Sequence, residues 1–155
     1  MINADLDKLV KRARSYIDLI DASALDPQIV TLLHRYICVL LSSNIDKSIQ
    51  LILIEYARIS GNGAVKRFVS KKLERGTNYQ TEKVTQLLGS FDPRWAEQFE
   101  ATAKQSDLKE KLDSLYGLRN SISHGEQINI SRPSLDGYWD AHNRAVGLIR
   151  KIVLG

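Results

Sequence analysis

Residues 26–61 read DPQIVTLLHRYICVLLSSNIDKSIQLILIEYARISG, and this stretch decides the fold. Its apolar residues recur at steps of three and four, the spacing of one face of an α-helix: Val30, Leu33, Ile37, Leu41, Ile45, Ile49, Ile52, Tyr56 and Ile59. Asp26 and Pro27 form an N-cap followed by a proline in the first turn, and no helix breaker follows until Gly61. The pattern predicts one helix of about 33 residues and about 50 Å, long enough to form the spine of a bundle.

Shorter amphipathic helices are predicted on both sides of this spine helix. Their ranges are 3–22, 64–75, 81–88, a helix opened by Asp92 and Pro93, a helix capped by Ser106 and Asp107, and a last helix that restarts at Ser131 and Pro133. Gly125 is placed to end the helix before it in the left-handed conformation. We therefore expect an all-α helical bundle with one long spine helix and several shorter satellite helices.

Length and composition indicate a single domain over residues 1–155. With 43% hydrophobic residues the chain is large enough to bury a core without cross-links, and its one cysteine, Cys38, lies in an apolar run typical of a core position. Asp5 and Asp7 stand where a signal peptide would be basic and then apolar, and His34 and Arg35 interrupt the most apolar stretch. These features favour a cytoplasmic protein without a membrane span.

Residues 118–127 read LRNSISHGEQ and contain the strongest candidate for a functional site. On a helix, His124 is about 40° from Asn120 around the axis, and Arg119 flanks both of them. A guanidinium can hold a phosphodiester and its developing charge, while an imidazole can move a proton near neutral pH. The alternative interpretation is structural, since Arg and His at a helix end also satisfy terminal carbonyls, and Asn120 there is often only a local hydrogen-bonding residue.

The order of the predicted helices, together with the motif Arg119-Asn120-x-x-x-His124-Gly125, resembles the HEPN superfamily, whose signature is an Arg, four to six variable residues and a His. The chain is most similar to stand-alone prokaryotic HEPN domains such as the RiboL-PSP-HEPN type. Many such domains carry an acidic residue in the middle of the long helix, facing the motif. Asp46 is the matching residue here, one methylene shorter than the more usual Glu, and Ser43 lies one turn before it. The alternative is that both residues only form the polar side of a partly exposed spine helix.

The resemblance implies a metal-independent endoribonuclease that acts as a homodimer, each cleft drawing an Arg and a His from both chains. His124 is then the general base or acid, Arg119 stabilises charge on the phosphate, Asn120 orients the phosphate or His124, and Asp46 and Ser43 support them. RNA is the substrate, because the 2′-hydroxyl attacks the adjacent phosphate and leaves a 2′,3′-cyclic phosphate. Many relatives are toxins or defence effectors, so an antitoxin protein is an expected partner.

A second candidate surface is the basic helix, which carries Lys66, Arg67, Lys71, Lys72 and Arg75 against a single Glu74. Val65, Phe68, Val69 and Leu73 take its opposite face. We expect the helix to pack by this apolar face and to expose the basic one, which suits RNA phosphates, although a merely solvated face is the alternative.

Other functions find less support in the sequence. It contains no H-E-x-x-H motif, no paired C-x-x-C and no nucleophile elbow, so we expect no metal and no cofactor. His34 and His142 are expected to pack rather than to react, and Trp95, Trp139, Tyr116 and Tyr138 are expected in the core more than on RNA bases. The alternative to catalysis is a HEPN-like module that binds RNA, a nucleotide or a protein without cutting.

Overall fold

A computed structural model describes residues 2–73 and 80–155. Within these residues it contains seven helices and no strand: α1 (Ile2–Ala22), α2 (Pro27–Ser60), α3 (Gly63–Leu73), α4 (Thr81–Gly89), α5 (Pro93–Gln105), α6 (Leu108–Ser123) and α7 (Arg132–Leu154). The prediction of an all-α bundle with one long spine helix is confirmed. Glu74 and Arg75, which we assigned to the basic helix, lie outside the described residues.

Three helices begin at a side-chain cap that precedes a proline. The carboxylate of Asp26 accepts a hydrogen bond from the Gln28 amide at 2.8 Å, and Asp92 does the same for Arg94 at 2.9 Å. Ser131 accepts from the Ser134 amide at 3.2 Å. Each cap precedes a proline in the first helical turn, where its missing N–H costs nothing.

The spine helix α2 organises the core. It packs against α1, α3, α6 and α7, and most extensively against α7. Its inward side is fully excluded from solvent at Ile37, Cys38, Leu41, Ile49, Ile52 and Leu53. The expectation that Cys38 is a core residue is confirmed, and burial raises the pKa of its thiol to about 12, because the thiolate would lose its hydration.

α2 is also apolar enough to be compared with a membrane helix. It contains an 18-residue window of mean hydropathy 1.5, so the interruption by His34 and Arg35 does not by itself separate it from a membrane-spanning segment. However, 61% of that window is buried inside the fold, as in the central helix of a helical bundle.

Candidate functional site

The motif lies on the last turns of α6. Leu112 and Leu115 anchor this helix in the core, and the helix ends at Ser123 with His124 as its C-cap. The Gly125 amide donates to the Ile122 carbonyl and the Glu126 amide donates to the Ser121 carbonyl, both at 3.0 Å. This is a Schellman motif, and Gly125 has the φ of +80° that the motif requires. The predicted left-handed cap is confirmed.

Asp46 of α2 faces the motif and contacts its arginine. One carboxylate oxygen accepts a hydrogen bond from Arg119 Nη1 at 3.0 Å, and the other accepts from the Tyr116 hydroxyl at 2.7 Å. The Asp side chain therefore reaches Arg119 although it is shorter than a Glu. The Asp46 side chain is only 10% exposed, so its carboxylate has lost most of its hydration. The two donors compensate for the water contacts that burial removes.

Tyr116 is a residue of this site that the sequence reasoning missed. The expectation of a core aromatic is confirmed, since its ring is fully buried and so does not stack on RNA bases. Its hydroxyl, however, serves the carboxylate that holds Arg119. The signal was available, since residues three apart on a helix share a face and Tyr116 precedes Arg119 by three.

The remaining motif residues lie at the surface. Arg119 keeps 27% of its side chain exposed, Asn120 is half-buried and His124 is exposed. Gly117 is also exposed. Asn120 follows it by three residues and His124 by seven, so all three lie on one side of α6. The structure thus presents one accessible edge of α6, on which the Arg119 guanidinium is fixed by its contact with α2.

Ser43 lies outside this buried contact. It is exposed on α2, one turn before the buried Asp46. Asn44, Ile45, Ser48 and Ile49 are buried within the protomer, and the Asn44 amide donates to the Leu9 carbonyl at 3.1 Å. Of this part of α2, only residues such as Ser43 and Lys47 are exposed for contact with RNA or with a second protein.

The segment after His124 is attached to the same spine helix. His34 Nδ1 donates to the Ile130 carbonyl at 2.9 Å, and the Arg35 guanidinium donates to the Ile128 carbonyl. The expectation that His34 packs in the fold is confirmed, since it is buried. α2 therefore contacts Arg119 through Asp46, and it contacts the segment that follows the motif through His34 and Arg35.

The basic helix differs from its prediction in one respect. Lys66, Arg67 and Lys71 are exposed and, with Gly63 and Ser70, line a hollow of about 590 Å³. Of the four apolar residues expected to pack, Val69 and Leu73 are buried, but Val65 and Phe68 are exposed. The expectation of a wholly buried apolar face is wrong, because the core beneath α3 accommodates only the two residues that point most directly at it.

No metal-binding cluster is present in the part of the chain that the structure describes: no group of three or more His, Cys, Asp or Glu side chains is placed to hold an ion. His142, the third histidine, is fully buried on α7, as expected. Burial lowers its pKa, because the imidazolium would be stranded without water.

The helical bundle and the Arg-x-x-x-x-His motif at the end of α6 define a HEPN-type domain. The model of the RiboL-PSP-HEPN family matches residues 4–154, almost the whole chain. This protein belongs to the RiboL-PSP-HEPN family. Neither the curated proteins nor the solved structures include a match to it.

Proposed function

We propose that this protein is a metal-independent endoribonuclease that acts as a homodimer. The observation that carries the proposal is the exposed edge of α6, where Arg119 is held by Asp46 and His124 stands five residues further on. The guanidinium is positioned before any ligand arrives, so it loses little conformational freedom when it meets a phosphate.

The proposed reaction is an internal transesterification of RNA. The ribose 2′-oxygen forms a bond to phosphorus, and the bond from phosphorus to the 5′-oxygen breaks. One His124 of the dimer accepts the 2′-hydroxyl proton, and the other supplies a proton to the leaving 5′-oxygen. Arg119 stabilises the charge on the phosphate oxygens, Asn120 orients the phosphate or His124, and the products carry a 2′,3′-cyclic phosphate and a 5′-hydroxyl.

Incubation of the purified protein with RNA in EDTA tests this chemistry. We expect His124→Ala to lower the cleavage rate by about 10²- to 10⁴-fold, because it removes the proton-transfer group from a surface position. Arg119→Lys should bind RNA but lose most cleavage, since an ammonium cannot reproduce the planar fork of the guanidinium. Arg150→Lys, at an exposed position of α7, is the matched control and should cut normally.

Two outcomes would overturn the catalytic assignment. Equal degradation of RNA by the parent protein and by His124→Ala would mean that a contaminant cuts it. A parent protein that binds RNA without cutting would favour a non-catalytic binding module instead. A substrate that lacks the 2′-hydroxyl only at the cleaved position should resist cleavage, because that hydroxyl is the proposed nucleophile.

The dimer is tested at Gly117, which shares a side of α6 with Asn120 and His124. A Cβ added at Gly117 meets nothing within 4 Å, so Gly117→Tyr should leave the protomer folded. If two copies of α6 face each other across a twofold axis, the new ring should separate them and abolish cleavage. Gly147→Tyr on α7 is equally open and is the control. Sedimentation that finds only monomer for the parent would contradict the composite cleft.

We further propose that the activity serves as a toxin or defence effector neutralised by an antitoxin protein. A ribonuclease of this kind limits its own production. Expression of the parent should therefore inhibit growth, whereas His124→Ala should not. Equal growth of the two strains at equal protein levels would contradict a toxic role.

A further inference from the structure

α3 carries an unbalanced positive charge. Its eleven residues include Lys66, Arg67, Lys71 and Lys72 and no acidic residue, so its described part has a formal charge of +4. The helix is well anchored at its start, because the Asn62 side chain accepts hydrogen bonds from the Ala64 and Val65 amides at 3.0 and 3.1 Å. The four cations are thus held along one short, ordered element.

An aromatic ring lies beside two of these cations. Phe68 is 68% exposed, and Val65 beside it is 45% exposed. On a helix of 3.6 residues per turn, Phe68 falls between Lys71 and Lys72, about 60° from the first and about 40° from the second. Lys72 Nζ lies 6.0 Å from the centre of the Phe68 ring. A large apolar ring left mostly in water beside Lys71 and Lys72 contributes little to the packing of this protomer.

We propose that α3 is a docking surface for single-stranded RNA, in which the Phe68 ring stacks on a base while Arg67 and Lys71 hold phosphates. The two kinds of contact match the two parts of a single-stranded nucleotide: a flat apolar face and a negative backbone. The hollow lined by Lys66, Arg67, Ser70 and Lys71 supplies the concave, positively charged side for the backbone. A duplex offers no free base face for Phe68.

An anionic membrane surface is the competing occupant, and the burial pattern disfavours it. A helix that lies in a lipid interface inserts a broad apolar face. In α3, Val69 and Leu73 are 7% and 5% exposed because they belong to the protein core, which leaves only Val65 and Phe68 on the helix for insertion. One exposed ring between cations suits a single stacked base better than a bilayer.

This surface is distinct from the cleavage site, although its role as substrate docking rests on the proposed function. Asp46 marks the cleavage site on α2, and α3 begins beyond the end of that helix at Ser60. The hollow is lined by residues of α3 alone, whereas Arg119 lies on α6 and His124 is its C-cap. α3 therefore provides a second point of attachment for the same RNA strand.

Binding of a labelled oligoribonucleotide to the His124→Ala variant of the 155-residue chain tests the proposal without cleavage. Phe68→Ala should weaken binding of the single strand by about 5- to 150-fold, the range expected for loss of one base–aromatic stack. Phe68→Trp should retain the affinity. Leu19→Ala, which removes another side chain that is 63% exposed, is the matched control and should have no effect.

The phosphate contacts of the proposed docking surface are tested by salt titration. Lys71→Gln should lower the slope of log affinity against log salt by about 0.7, the value for one phosphate contact on a single strand. Binding of the same sequence as a duplex should be insensitive to Phe68→Ala. Cosedimentation with anionic phosphatidylglycerol vesicles should be weak for the parent protein and unchanged by Phe68→Ala.

Two results would overturn the docking surface: single-stranded RNA bound equally by the parent and by Phe68→Ala, or vesicle binding that depends on Phe68 while RNA binding does not. Failure of the proposed function has a different signature. If the parent does not cut RNA but binds it through Phe68, the docking surface stands and catalysis fails. If the parent cuts RNA and its affinity for single-stranded RNA is unchanged by Phe68→Ala, only the docking surface fails.

Discussion

Removal of one hydroxyl group tests the contact behind the motif. In Tyr116→Phe the fully buried ring is kept, and the hydroxyl that donates to Asp46 at 2.7 Å is lost. A hydrogen bond to a charged group contributes about 1.5 to 3 kcal/mol to folding stability. Water cannot easily replace this donor, because the Asp46 side chain is only 10% exposed. We expect the free energy of unfolding to fall by that amount and Tm to fall by about 3 to 12 °C in a chain of this length.

The assay is a double-mutant cycle measured by urea unfolding, with Tyr116→Phe, Asp46→Ala and the double variant. In the Asp46→Ala background the Tyr116 hydroxyl has lost this acceptor, so its removal should cost less than it does in the parent protein. The coupling free energy between the two positions should exceed about 1 kcal/mol.

Tyr138→Phe is the matched control. The Tyr138 hydroxyl lies 2.8 Å from the Ser114 hydroxyl in an exposed, neutral contact, so the same chemical change should cost well under about 1 kcal/mol. Additive effects of Tyr116→Phe and Asp46→Ala, within about 0.5 kcal/mol, would refute the reasoning.

Three further predictions concern single residues. Because burial lowers the folded-state pKa of His142, the unfolded chain takes up a proton below about pH 6.5 that the folded chain does not. The free energy of unfolding should therefore fall below that pH, by up to about 1.4 kcal/mol per pH unit. His142→Leu should remove this part of the pH dependence, as urea titrations at several pH values can show. Gly125→Ala should destabilise the protein by about 1 kcal/mol, because φ is +80° there, whereas Gly147→Ala inside α7 should stabilise it, as thermal melts can show. The Cys38 thiol, with its pKa raised to about 12, should resist alkylation in the native protein and react in urea, as mass spectrometry can measure.

The helices were predictable because the signals that define them are local. Asp26 and Asp92 each precede a proline and each caps its helix, and Gly125 adopts the conformation that its place after the motif required. The apolar period also identified the inward side of α2 between Ile37 and Ile52, but Ile59, which was expected on the same face, is 64% exposed because it lies in the last turn of the helix.

Features that depend on distant partners were harder to predict. The contact between Asp46 and Arg119 joins positions 73 residues apart, and the sequence supported it only through the family resemblance. A helical period showed that Val65 and Phe68 share a side with Val69, but it did not show where the underlying core ends. The hydrogen bond of the Tyr116 hydroxyl was not predicted, because a buried aromatic ring more commonly serves only packing.

The dominance of α2 in the packing has a consequence for synthesis. Its main partner, α7, is completed only at Leu154, 94 residues after α2 ends at Ser60. At ribosomal rates of about 5 to 20 residues per second, a nascent chain carries α2 without that partner for on the order of 5 to 20 s. Arg119 is also translated after α2, so the motif cannot be assembled earlier. During this interval the face of α2 that α7 later covers is exposed, and the growing polypeptide is an aggregation-prone intermediate.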